Sequence, residues 1–373
     1  MQLTTGIGHG SKLKIFKFIY SSTTINSTIM KALRYFFLLA FLAIKSVAYG
    51  QEQIDSVKFF EDQSTINLTL EMDLKDLLSK KQKERYLPAT VAMTFEDGTS
   101  ITEQIRVSVR GNFRRETCYM PGLKLDFHNN TSPRLYKLDK LKLSCGCSSG
   151  SDNEQLVLRE YMAYKVYRLL TDKSFRVRLA NITFKDINGK KKPYTQYGFF
   201  IEDVDELAKR HNMVEVEGIQ IIQEYTNREQ ATLVSIFEYM IGNTDWSFPN
   251  FHNIKLIGPK GDNTTRPIAV PYDFDISGFV DPPYATIAEI FEGQISTVRE
   301  RLYRGFPRSM EELQVAIKVF NDKKEAIYNL INSFTPFDNK SKGWLTKFLD
   351  EFYKTINNPK NVQRYFIDEA RTN

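Results

Sequence analysis

The sequence predicts an α+β chain of two lobes, β-rich over residues 51–200 and mainly helical over residues 201–373. Three observations carry this. Short runs in the first half alternate apolar and polar residues, as half-buried strands do. In the second half Leu233, Ile236, Phe237 and Met240 recur at the spacing of a helix face. Residues 241–257, with Tyr272-Asp-Phe-Asp275 behind them, then gather Asp245, Asn250, Asn253, Asp273 and Asp275 on a loop and a short hairpin.

Residues 1–50 read as a leader. Met30-Lys-Ala-Leu-Arg34 is a basic start, residues 35–44 are an apolar run, and Ala48-Tyr-Gly50 supplies the small residues of a signal-peptide cleavage site. Met30 fits the true start of translation. The apolar run is short for a membrane span, so the expectation is an exported protein, periplasmic, cell-surface or secreted, with no span once the signal is removed. Of the 51 Lys/Arg, six lie in this leader, which holds none of the 45 Asp/Glu; residues 51–373 therefore balance to zero, and the overall charge of +6 belongs to the leader. That balance gives no ground for a nucleic-acid partner. Three cysteines in an exported chain predict one disulfide, Cys118 with Cys145 or Cys147.

Residues 65–70 alternate like a strand and 73–83 read as a short helix. Residues 89–95 and 101–109 form a hairpin across Glu96-Asp-Gly98. The second strand runs into Arg110-Gly-Asn-Phe-Arg-Arg115, where a glycine serves a bulge, a backbone approach to an anion, or a plain turn with solvated arginines. Residues 122–127 and 140–144 are strands that each carry a lysine between apolar residues, Lys124 and Lys142. Such a lysine snorkels from a sheet face or points into a cleft. Residues 156–171 are helical and contain Glu160. A strand lysine paired to a helix glutamate fixes a phosphate-binding amine, which makes Lys124 and Glu160 the candidate pair; surface pairing of Glu160 with Arg159 and Lys165 is the plainer alternative. Residues 175–184 and 194–201, turned by Asn188-Gly189, complete the β-rich half. A charged helix over 205–210 marks the hinge.

Thr226-Asn-Arg-Glu229 reads as a capping box ahead of a buried helix that ends at Gly242 and delivers Asp245 just past its C-terminus. A hairpin over 254–257 and 267–270 follows. Alternation beyond it sends Asp273 and Asp275 to one face and Phe274 to the other. Two carboxylates on one face repel unless a cation sits between them or one is protonated. Arg299, Arg301 and Arg304 bind phosphate or form a solvated face. Residues 310–332 and 344–356 are amphipathic helices without a chemical signal.

Asp and Asn also fill ordinary turns, but this loop carries Trp246, Phe248 and Phe251, which a solvated turn has little reason to expose. Mg²⁺ takes carboxylate and amide oxygens in a shell shared with phosphates. An acid and an Asn on a loop, a strand pair, then an acid is the order in which protein-kinase-type phosphotransferases arrange these groups.

Arg110-Gly-Asn, the strand at Lys124, Leu158-Arg-Glu-Tyr-Met-Ala-Tyr-Lys165, Asn243-Thr-Asp-Trp246, His252-Asn-Ile-Lys-Leu256 and Tyr272-Asp-Phe-Asp275 resemble the spore-coat-protein-H (CotH) kinase-like family over residues 60–305, and in particular a group of exported proteins of Bacteroidetes-type bacteria. The resemblance implies an atypical two-lobed protein-kinase-like fold. It implies Asp245 as the catalytic Asp that orients the acceptor hydroxyl, Asp273 as a metal ligand with Asp275 as a second, and Asn253 or Asn250 as the metal-binding amide. Arg110, Lys124 and Glu160 would serve the nucleotide phosphates. The family often reads Arg-Gly-Asn-Ser, where this chain has Phe113. The expected activity is transfer of the ATP γ-phosphoryl group to a protein or other hydroxyl acceptor with Mg or Mn. The alternatives are an inactive pseudokinase that acts as an envelope binding protein, and a metal-dependent hydrolase.

Overall fold

The computed structural model describes residues 56–371, apart from 82–84, 129, 136–137, 149–150, 219–220 and 263; the expected leader lies outside the described residues. Seven strands close on themselves: β1 (Ile66–Met72), β2 (Leu87–Thr94), β3 (Ser100–Arg110), β4 (Gly122–Asp126), β5 (Lys140–Cys145), β6 (Val177–Asp186) and β7 (Tyr194–Ile201). Their order around the barrel is β1-β2-β3-β4-β5-β7-β6. Neighbours are antiparallel except β1 and β6, which run parallel from Ile66 opposite Ala180 to Met72 opposite Asp186.

This closed mixed barrel, followed by helices, overturns the expected two-lobed protein-kinase-like fold. Alternation declares that a strand is half-buried; it does not say which strand lies on each edge. The edge of β1 that an open sheet would leave bare is paired by β6, and closure removes the exposed edge altogether. The strands themselves fall where their patterns place them. Inward residues such as Leu68, Leu70, Val91, Val107, Leu125, Leu143, Ile182 and Phe200 fill the barrel as one cluster.

Three short helices decorate the barrel: α1 (Ser56–Glu61), α2 (Leu74–Lys80) and α3 (Phe113–Thr117). The long α4 (Ser151–Leu170) packs on the outside of β7, and Phe199 of that strand joins the second core cluster together with Tyr161 and Tyr164. Then come α5 (Val204–Arg210), α6 (Arg228–Ile241), α7 (Met310–Ser333), α8 (Asn339–Ile356) and α9 (Pro359–Val362), with a small sheet of β8 (Val214–Glu215), β9 (Ile254–Gly258) and β10 (Ile268–Pro271) in the order β10-β9-β8. Helix α6 is buried without interruption from Ala231 to Ile241, and Gly242 ends it at φ +64, a left-handed cap that glycine takes without strain.

Its N-cap differs from the expected capping box. Asn227 accepts from the Gln230 N–H at 3.0 Å, while the Thr226 hydroxyl donates back to Gln223 O at 2.6 Å. The capping box of this half is instead Ser309 with Glu312, at the start of α7. Among the described residues no helix is long and apolar enough to cross a membrane.

Candidate functional site: an acidic cluster around Asp245, Asp273 and Asp275

The loop that leaves α6 is braced from both sides. Glu238 is fully buried, and burial raises its pKa well above the usual range, with the Asn243 hydrogen bond opposing. It accepts from Asn243 Nδ2 at 2.9 Å, and Asn243 Oδ1 in turn accepts the Asp245 N–H at 2.9 Å. Arg304 Nη1 donates to the carbonyls on either side of Asp245, Thr244 O at 2.6 Å and Trp246 O. The Asp245 carboxylate is itself held: His252 Nε2 bonds Oδ1 at 2.8 Å, and Asn253 Nδ2 donates to Oδ2 at 3.1 Å and to Asp245 O at 2.6 Å. Asn253 (φ +54) and Asp273 (φ +62) both sit in the left-handed region, which Asn and Asp enter more readily than other side chains.

Asp273 and Asp275 do not share a strand face as alternation predicts. β10 ends at Pro271, and the left-handed turn at Asp273 breaks the period. Asp273 is exposed and its carboxylate accepts no hydrogen bond from a described residue, while its N–H donates to the Tyr164 hydroxyl at 2.8 Å. Phe274 is buried against Tyr164 and Phe237, with ring centroids 4.6 and 5.4 Å away. Asp275 is buried. Burial first and Asp273 second push its pKa up to about 7, with Asp245 adding and Arg114 opposing. Asp273 and Asp245 therefore both lie within electrostatic reach of Asp275.

Glu160 is buried too, and its partner is Arg114 rather than Lys124. Arg114 Nη1 lies 3.2 Å from Glu160 Oε2 and donates to Ser144 Oγ at 2.9 Å; Nη2 donates to Cys145 O, and Nε stands 3.9 Å from Asp275 Oδ2. Burial pushes Glu160 up to about 8; Arg114 opposes this, and Asp275 and Asp273 add to it. Burial works against the Arg114 charge, but Glu160, Tyr284, Asp275 and Asp273 outweigh it and raise its pKa. The disulfide is Cys118–Cys147; it ties the C-terminal end of α3, the helix that carries Arg114, to the chain just past β5. Cys145 is the free, buried thiol, its pKa pushed up to about 12 by burial.

Of the other candidates only Arg110 acts on this centre. Lys124 stands on the outer face of β4 opposite Lys142, and its charge acts on Asp203, which Lys142 pairs at 2.9 Å. Arg110 lies across Gly122, where an added Cβ would come 3.1 Å from Arg110 Cγ. Its Nε is buried without a hydrogen-bond partner, and its charge is felt at Glu160, Tyr164 and Tyr272. Asn250 is exposed on the turn that Phe251 N–H closes onto Phe248 O at 3.1 Å, and it joins none of the others.

Sequence reasoning missed Arg114, Tyr164, Tyr284 and the His252 contact. Arg114 sits in a helix of five residues, too short to show a period. The arginine run at 296–305 is not a uniformly solvated face. Arg304 clamps the loop, Arg301 donates to Met240 O at 3.3 Å over the Phe348 ring, and Arg299 pairs with Asp281 at 2.9 Å. No three His, Cys, Asp or Glu side chains among the described residues converge as ready-made metal ligands. The sequence matches no protein-family model and no curated protein.

Proposed function

We propose that this acidic site transfers the γ-phosphoryl group of ATP to a hydroxyl acceptor, on a protein or another molecule, with Mg²⁺ or Mn²⁺. The observation that carries the reading is the Asp273 carboxylate: exposed, accepting no hydrogen bond from a described residue, set at φ +62 with its N–H on the Tyr164 hydroxyl, and, after burial, the largest push on the raised pKa of Asp275. With the kinase-like fold gone, the reading rests on these side chains alone.

The donor set fits a hard cation that keeps part of its shell for substrate. Mg²⁺ is held by one or two carboxylates plus phosphates and water rather than by a full protein cage. Asp273 offers an unspent carboxylate. Asp275 offers a second on deprotonation. Asn253 gives its Nδ2 to Asp245, which leaves the amide oxygen for a ligand. A cation there would neutralise charge on the transferred phosphoryl group.

The chain's own residues supply position and charge. Asp245, fixed by His252 and Asn253, orients the acceptor hydroxyl and takes its proton. Arg110 gives the phosphates a positive wall, and Arg114 keeps Glu160 and Asp275 from repelling the site open. The Cys118–Cys147 disulfide supports an oxidising, exported location. The second reading, a non-catalytic binding protein, is favoured by the full engagement of Asp245, both of whose oxygens already hold hydrogen bonds.

The test is thermal stabilisation by ATP with Mg²⁺ or Mn²⁺, wild type against Asp273→Ala, followed by transfer of labelled γ-phosphate to a mixed protein acceptor. A metal-dependent shift lost in the variant, with transfer lost in Asp245→Ala, supports phosphotransfer. A shift without transfer leaves the binding protein. No shift with either metal overturns both nucleotide readings.

A further inference from the structure

Phe113 opens α3, a helix with no buried residue; its ring is 47 % exposed and joins neither core cluster. A single exposed apolar side chain is ordinary on a protein surface, but this one stands at the acidic site. The next residue is Arg114, which pairs with Glu160 and lies 3.9 Å from Asp275. Three residues upstream is Arg110, whose charge is felt at Glu160 and Tyr164. Between them Gly111 turns the chain at φ +88, where an added Cβ would meet nothing within 4 Å, so the segment borders open space.

The ring has a partner tied to the acids. Its centroid lies 5.8 Å from that of Tyr284, with 48° between the planes. Tyr284 is half-buried, and its hydroxyl donates to Asp275 Oδ2 at 3.4 Å. That bond holds the polar end of Tyr284 on the acid and leaves its ring beside Phe113. The two rings form an aromatic patch one hydrogen bond from Asp275, with the Phe113 ring half open to solvent. Open rings of this kind receive flat ones: every nucleobase has a π-face and stacks on an aromatic side chain.

We infer that Phe113, backed by Tyr284, stacks the nucleobase of the phosphoryl donor. This rests on the phosphotransfer reading, in which the donor's phosphates lie against Arg110 and Asp273. One stretch of chain then serves both ends of the nucleotide. Arg110 and Phe113 are three residues apart, at most about 10 Å of chain, a span that one nucleotide covers. The acceptor has no such claim on this segment, because Asp245, which orients it, is held by His252 and Asn253 on another loop. Phe113 touches no reacting atom; it gives a donor that carries a base its advantage over bare polyphosphate.

The test compares ATP with inorganic tripolyphosphate, which has the phosphates and no base, each with Mg²⁺, by thermal-shift titration of wild type, Phe113→Ala, Phe113→Trp and Tyr225→Ala. Phe113→Ala removes a side chain that lies outside both cores, so it should fold as wild type does. Its affinity for ATP should fall about tenfold, the low end of what one stacked base contributes, and its affinity for tripolyphosphate by less than about twofold. Phe113→Trp should retain ATP binding. Tyr225→Ala, which removes an exposed ring on the turn before α6, should bind both probes as wild type does. Undiminished ATP binding by Phe113→Ala, or an equal loss for the two probes, would overturn the inference and leave phosphotransfer standing. Wild type that binds neither probe would remove the phosphotransfer reading and this inference with it.

Discussion

Replacing Arg114 by Leu tests the electrostatic core of the site, because this one guanidinium faces Glu160 and Asp275 together. Both acids have folded pKa values raised above their ordinary ones, to about 8 and about 7, chiefly by burial. A raised carboxyl contributes its full share of stability below its unfolded pKa and loses it as pH rises through the folded value. Removing Arg114 lifts both folded values further, so the two proteins differ little electrostatically at pH 6, where both acids are protonated in each. There the cost is the lost hydrogen bonds to Cys145 O and Ser144 Oγ, about 1–3 kcal/mol. Above the wild-type values each group adds about 1.4 kcal/mol per pH unit. At pH 9 that is about one unit for Glu160 and about two for Asp275, or roughly 2–4 kcal/mol in all once their coupling is allowed for. The assay is urea unfolding of wild type and variant at pH 6 and pH 9. A deficit that stays constant between the two would refute the reasoning, since it would mean that Arg114 does not hold ionised acids.

Two further outcomes follow from the same region. Cys118→Ser with Cys147→Ser opens a link between residues separated by 29 positions and should cost about 3–4 kcal/mol on the chain-entropy account; equal melting temperatures with and without reductant would contradict it. Tyr164→Phe leaves the Asp273 N–H unpaired, which should cost about 1 kcal/mol and weaken the Mg²⁺- or Mn²⁺-dependent response, and an unchanged metal titration would remove Tyr164 from the site.

What the sequence discloses and what it hides divide along physical lines. The strand pair joined at Asp97-Gly98 and the buried α6 with its Gly242 stop are written in local spacing, because period and turn chemistry act over a few residues. Barrel closure is not, because the pairing of Leu68 with Ile182 leaves no mark on either segment. The same holds within the site. Asp245, Asn253 and Asp273 stand out because Asp and Asn are rare choices beside so many aromatics. Glu160 was legible as a helix acid with a basic partner, but which partner was not. Lys124 lies in the middle of β4 and Arg114 in the short α3, and only the disulfide-tied turn of α3 decides which one reaches it. Asp273 departs from the expected face because one left-handed residue resets the alternation that β10 began.

The strand order also governs how the molecule must assemble. β1 to β5 can pair in turn as they leave the ribosome, each with its sequence neighbour. β6 and β7 then enter as a hairpin in reversed order, β7 against β5 and β6 against β1, so this hairpin is the stave that shuts the barrel. Between β5 and that hairpin the chain must first lay down α4, which packs on β7 from outside. Non-local pairing is the slow part of such topologies. Until the hairpin seats, β1 and β5 each present an open edge to the surroundings, the kind of surface on which chains join one another. The acidic site inherits that timetable: Ser144 and Cys145, which position Arg114, lie on the strand that β7 must reach last.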